Sequence, residues 1–240
     1  MNFLCMKKKI LIICLLVACV SGVWARSHAD GDTVAIVRPD MEAIRQAVQD
    51  SKSPYYYPRL IERYLSRDTT LTPDDYRHLY LGYSFQDDYD PYRVSSYETS
   101  LDTLYRRCDY SEEECRALIR YAEQVLADNP FDMRRMTLLA YVHNLLGHQS
   151  EVVFWQTRIH YLLDAILSTG DGRTPETAWY IIEPVHAYDL LNTLGVVAES
   201  YEFRPPCYDY IQVYDLIGNA RGFYFNVSRI LEEYNKKFSE

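Results

Sequence analysis

The chain has 240 residues, 34 of them acidic and 25 basic, for a formal net charge of −9. That acid excess argues against nucleic acid and anionic lipid as partners, because both are bound through clustered Lys and Arg. Arg106-Arg107 and Arg134-Arg135 are only pairs, and each stands beside acids.

The first 25 positions read as a secretory signal. Lys7, Lys8 and Lys9 precede an apolar run from Ile10 to Val20, which is shorter than the roughly 20 apolar residues of a membrane span. Val23 and Ala25 fit the small-residue rule for cleavage after Ala25. A second reading competes: Leu16-Val17-Ala18-Cys19 fits a lipobox, with Cys19 lipidated as the new N-terminus. Either way the expected location is extracytoplasmic, with no transmembrane span in the mature chain. Removing the three lysines leaves that chain more acidic still.

Residues 26–240 are expected to form a single α+β domain, helical over about 34–168 and β-rich over about 174–240. Asp40 opens a helix with Met41, Ile44, Ala47 and Val48 on one stripe, and Leu60, Ile61, Tyr64 and Leu65 mark another after Pro58. Thr72-Pro73-Asp74-Asp75 combines a capping hydroxyl, a proline where no N–H is missed, and two acids at the positive helix end. Ser111 and Glu114 form a capping box, and Asp128-Asn129-Pro130 ends the helix that follows. Residues 131–146 and 150–168 make a helical hairpin around Gly147. Leu139, Ala140 and Gly147 fit a tetratricopeptide-like pattern there, while Val152 and Gln156 depart from it.

A small antiparallel sheet is expected to follow. Ala178–Ile182 is a compact β run ended by Pro184. Val197–Phe203 and Tyr208–Tyr214 flank Pro205-Pro206 as antiparallel neighbours. Phe223, Phe225 and Val227 alternate with Tyr224 and Asn226, and a short helix carries Ile230, Leu231 and Tyr234.

Several stretches carry a family resemblance: Arg38-Pro39-Asp40-Met41, Ser53-Pro54-Tyr55-Tyr56-Tyr57-Pro58-Arg59-Leu60, Asp68-Thr69-Thr70-Leu71-Thr72, Gly82-Tyr83 and Phe225-Asn226-Val227-Ser228. Together they resemble the secreted Bacteroidota proteins of domain-of-unknown-function family 4919. The resemblance implies an envelope or secreted protein of a Gram-negative bacterium, and brings no activity, cofactor or site residue with it.

Tyrosine is the unusual component, at 23 residues, nine of them between Tyr55 and Tyr92. A phenol ring offers a flat apolar face and one hydroxyl, which suits sugars and wet interfaces. Tyr76, Tyr80 and Tyr83 repeat at helical spacing and read as a buried stripe. Tyr56, Tyr57, Tyr89 and Tyr92 lie in turn-like sequence beside Pro54, Pro58 and Pro91. They are expected at the surface as a binding site, with Arg59, Arg63 and Arg77 as cation–π or hydrogen-bonding partners. Cys108 and Cys115 are candidates for a disulfide across a short turn, with Cys207 a buried free thiol.

No metal or cofactor motif stands out. His143, His148 and His160 share one hairpin, and Glu183 stands three residues before His186 with Pro184 read as breaking any helix that would align them. The Asp171-Gly172 loop reads as turn chemistry rather than a calcium site. The expected function is a non-enzymatic envelope module that binds a protein or glycan. The alternative is a hydrolase of an envelope or dietary polymer using a carboxylate pair from Asp74/Asp75, Asp87/Asp88 or Glu112–Glu114.

Overall fold

A computed structural model describes residues 36–107, 109–214, 218 and 220–238. The export segment with Cys19 lies outside the described residues. Cys108 does too, and with it the pairing expected with Cys115. The architecture is α+β, helices first and a four-stranded sheet after. Two compact units divide the described residues: 93–160, and 36–92 together with 161–238. The grouping cuts across chain order, because the first three helices cluster with the sheet rather than with the helices that follow them.

The smaller unit holds α4 (Glu98–Tyr105), α5 (Glu112–Asp128), α6 (Met133–Leu145) and the first part of α7 (Gln149–Leu167). Ser111 and Glu114 form the capping box that starts α5, with Glu114 N donating to Ser111 Oγ at 3.2 Å and Ser111 N to Glu114 Oε2 at 2.9 Å. Leu101, Leu118, Ala122, Phe131, Met136 and Leu139 fill the core. Cys115 is buried on α5 as a free thiol.

The larger unit begins with α1 (Met41–Gln49), α2 (Tyr57–Leu65) and α3 (Pro73–Tyr83). Asp40 caps α1, and Thr72 with Asp75 completes a capping box on α3. α1 packs on α3 at Gly82, where a Cβ would stand 2.6 Å from Val48 Cγ1, so the close approach requires glycine. Tyr57, Leu60, Tyr64, Leu79, Tyr80 and Tyr83 are buried.

The sheet comprises β1 (Trp179–Tyr180), β2 (Val197–Arg204), β3 (Tyr208–Tyr214) and β4 (Ala220–Asn226), in the order β1-β4-β3-β2. β2–β3 and β3–β4 pair antiparallel as expected. The sheet as a whole is not antiparallel: β1 lies parallel to β4, with Trp179 opposite Phe225 and Tyr180 opposite Asn226. Parallel pairing needs a long crossover, and the chain between β1 and β4 supplies one in α8 (Pro184–Thr193) and the β2–β3 hairpin. Before β1, Gly172 adopts φ +68° with the Trp179 ring 2.6 Å from where its Cβ would be. α9 (Ser228–Phe238) follows β4, its first N–H accepted by Asn226 Oδ1 at 3.0 Å.

Pro184 does not break the helix that aligns Glu183 with His186; it begins it. Proline at the first helical position has no hydrogen bond to lose, so Glu183 becomes the N-cap of α8 and His186 its third residue. His186 Nε2 thereby lies 3.8 Å from Glu183 Oε2. His186 Nδ1 meets the Tyr80 hydroxyl at 2.8 Å, and Ile182 N donates to the same hydroxyl at 3.3 Å. Tyr89 donates to the Ile182 carbonyl. This wholly buried network ties α3 and the loop after it to β1 and α8. Burial raises the Tyr80 phenol well above its ordinary value, so the hydroxyl stays neutral. Replacing Tyr80 with Phe strands buried groups on His186 and Ile182, and should cost about 1–3 kcal/mol in urea unfolding. An unchanged midpoint would show that the network carries no stability.

Candidate functional site

The tyrosine segment divides between core and surface. Tyr57 and Tyr89, expected at the surface, are each only 6% exposed. Tyr57 stacks on Tyr83 with centroids 6.3 Å apart, Tyr89 meets Tyr83 edge-on at 5.5 Å, and burial raises both phenols. The reason is the fold itself: Tyr57 is the first residue of α2 and faces α3, while Tyr89 turns inward to reach Ile182. Tyr56 is half-buried, with the Arg59 guanidinium 6.0 Å from its ring centroid. Tyr92 is 42% exposed.

The three arginines expected to assist binding brace the backbone. Arg59 donates to the carbonyls of Ser51 and Ser53, each at 3.2 Å. Arg63 holds Asp68 at 2.7 Å, Asp75 at 3.5 Å and Thr70 at 3.2 Å, closing the turn before α3. Asp68 is held down at about 2 by the Thr70 hydroxyl first and Arg63 second. Arg77 reaches Ser168 Oγ, and the Val37 carbonyl at 2.6 Å. Of the proposed carboxylates, three are similarly occupied. Asp75 accepts from Thr72 N, Glu112 pairs with Arg116, and Glu114 caps α5. His143 and His148 approach at 3.2 Å, yet among the described residues no three His, Cys, Asp or Glu side chains are placed to hold a metal ion.

A cleft of about 780 Å³ opens between α1, the loop after α3, and α9. Most of its charges are matched internally: Arg45 with Glu42, Arg229 with Glu232, and Lys236 with Glu233. Arg229 also covers the Phe85 ring at 4.5 Å. On the outer face of the sheet, Arg204 lies 3.7 Å from the Tyr210 centroid and 5.2 Å from that of Tyr224, so those rings already hold a cation from the chain itself.

The open aromatic surface lies on the other face, where the core gives out at its edge strand. Alternation puts Tyr201 and Phe203 of β2 on the same side as Ile211, Val213, Phe223 and Phe225. Those four are buried, but Tyr201 is 56% exposed, and Phe203 is exposed beside it. Asp209, opposite Phe203, stands at this margin half-buried, accepting a hydrogen bond from the Tyr201 hydroxyl at 2.9 Å. Tyr92 comes in from the loop after α3 and meets Tyr234 of α9 edge-on at 6.4 Å. Tyr234, 47% exposed, then packs on Phe238 at 4.8 Å. The phenols register one another electrically. Tyr201 is pushed up to about 12 by burial first, then by its bond to Asp209 and that carboxylate's charge, with Tyr188 of α8 and Tyr92 contributing. Tyr92 is raised by burial, then by Asp209 and Tyr234.

The sequence singled out Tyr92 but missed Tyr188, Tyr201, Asp209 and Tyr234, which come from four other elements. The one available signal was Tyr201 and Phe203 in alternation with Glu202 and Arg204, which marks a strand with one aromatic face without showing that the face is uncovered. Burial raises the Asp209 carboxyl, and the Tyr201 hydrogen bond only partly offsets it. A carboxyl raised by folding stabilises the protein below its unfolded value, about 4, and that contribution is lost as pH climbs through the folded value. Asp209→Asn should therefore match the wild type in melting temperature at pH about 4 and equal or exceed it at pH about 7. A variant that melts lower at neutral pH would show the charge to be stabilising.

Among the described residues, no helix is long and apolar enough to cross a membrane. No curated protein matches the chain, and neither does any solved structure. A family model does match, over residues 42–236, which takes in α1 through most of α9. The chain therefore belongs to the family described as "Domain of unknown function (DUF4919)".

Proposed function

We propose that this chain is an exported bacterial envelope protein that binds a glycan without transforming it. The observation that carries the reading is the cluster of exposed rings, Tyr92, Tyr188, Tyr201 and Tyr234, brought from four separate elements to the margin around Asp209. A sugar ring has an apolar C–H face that stacks on a phenol, and hydroxyls that bond to the phenol oxygens and the carboxylate at its edge. A protein partner fits less well, because Asp209 places a charge in the middle of the patch, where protein interfaces are depleted of charge. Export rests on Lys7–Lys9, the run Ile10–Val20 and the family resemblance. Binding rather than hydrolysis is supported by the use of Asp75, Glu112 and Glu114 in caps and ion pairs.

Single substitutions Tyr92→Ala, Tyr201→Ala and Tyr234→Ala should each weaken capture of an immobilised envelope glycan by about tenfold or more, with melting temperature nearly unchanged, since each ring is a surface contact. Loss of stability without loss of capture would make the rings architecture. The export half of the reading is checked separately, by mass spectrometry of the native protein. It should begin at Arg26 or at a lipidated Cys19, and a chain retaining the Ile10 run would refute export.

A further inference from the structure

Asp209 is a charged group at the margin of a core, and the structure supplies it with no counter-charge. Among the described residues its hydrogen-bond partner is the Tyr201 hydroxyl, and no Lys, Arg or His is paired with it. The basic side chains of the neighbouring elements have other partners, Arg221 of β4 lying over the Phe223 ring at 5.4 Å on this same face. Lys237 of α9 binds Asp90 at 3.1 Å, Arg229 binds Glu232 and the Ser84 carbonyl, and Arg204 lies on the opposite face of the sheet with Glu202 and Tyr224. A partly desolvated carboxylate without a cation is costly to keep, and the neighbouring phenols offer faces that attract positive charge.

A carboxylate held by a phenol hydroxyl, with exposed phenols on the same margin, suits an ammonium group. The carboxylate gives the Coulomb attraction, and the ring faces add cation–π contact without a second formal charge. A neutral sugar would hydrogen-bond to Asp209 and leave its charge uncompensated. An anionic sugar would be repelled by Asp209 and by the chain's net charge of −9, which instead draws in a polycation. Resting on the glycan reading above, we infer that the sugar bound at this surface carries a free, protonated amine seated against Asp209 beside the Tyr201 hydroxyl: the ligand class is an amino sugar with its nitrogen unacylated.

The test is calorimetric titration of the full mature chain, near neutral pH, with two oligosaccharides of equal length. One is a glucosamine oligomer with free amines; the other is its fully N-acetylated counterpart. The expected result is at least a tenfold preference of the wild type for the free-amine oligomer, shrinking to near parity in Asp209→Asn. That variant keeps an acceptor for Tyr201, and Asp209→Ser is measured beside it in case the amide disturbs packing. Tyr201→Ala should weaken both oligomers together. Equal wild-type affinities would overturn the amine inference and leave the glycan reading standing. A preference that persists in both Asp209 variants would assign charge recognition elsewhere and also overturn it. Failure of the wild type to bind either oligomer would remove the inference for this sugar class, while the capture assay with ring variants still decides the broader reading.

Discussion

The sheet of the larger unit is one strand wider than the core that covers it. Ile211 and Val213 of β3 and Phe223 and Phe225 of β4 are sealed, and the next strand in register, β2, carries Tyr201 and Phe203 past the seal. Everything distinctive about the surface follows from that mismatch. An edge strand with uncovered aromatic side chains is a liability in a soluble protein, since it invites non-specific association. Here Asp209 interrupts the apolar margin, and the Tyr201 hydroxyl is tied to it, so the rings are held at a wet, charged boundary.

What holds the margin in place is buried elsewhere. The Tyr80 hydroxyl joins His186 and the Ile182 N–H, and Tyr89 takes the Ile182 carbonyl, so the loop after α3 and the start of α8 are fixed on one short segment. Tyr92 follows Tyr89 by three residues and Tyr188 follows His186 by two. The same network that satisfies buried polar groups therefore also positions two surface rings. Tyrosine suits both tasks because it loses little rotamer freedom and carries its own hydrogen-bonding group. The segment's composition thus reflects two physical demands, and counting tyrosines cannot separate them.

The arginines show the same division of labour. Arg59, Arg63 and Arg77 spend their donors on carbonyls, caps and carboxylates within the helical half of the unit, and Arg204 and Arg229 cover the rings of Tyr210 and Phe85. Those interactions occupy the outer sheet face and the α1–α9 cleft with the chain's own side chains. The margin at Asp209 differs in having exposed rings and a carboxylate that, among the described residues, is paired with no cation.

Local physics was legible in the sequence, because it depends on residues a few positions apart. The Thr72 cap and the Ser111–Glu114 capping box formed as read, the β2–β3 and β3–β4 strands paired antiparallel as expected, and the motif residues identified the family. What lay beyond it was decided by distant partners. Pro184 reads as a breaker in isolation and as a helix start once Glu183 and His186 have a buried hydroxyl to meet. The parallel pairing of β1 with β4 depends on a crossover of some forty residues, which no local pattern encodes. Tyr57 and Tyr89 went inward because α3 and Ile182 were there to receive them, whereas Tyr92 stayed outside. Alternation along β2 and β3 assigned Tyr201 and Asp209 to the core-facing side. Only the tertiary structure determined that the core stops short of them, because burial depends on which elements lie opposite, and that information is spread over the whole chain.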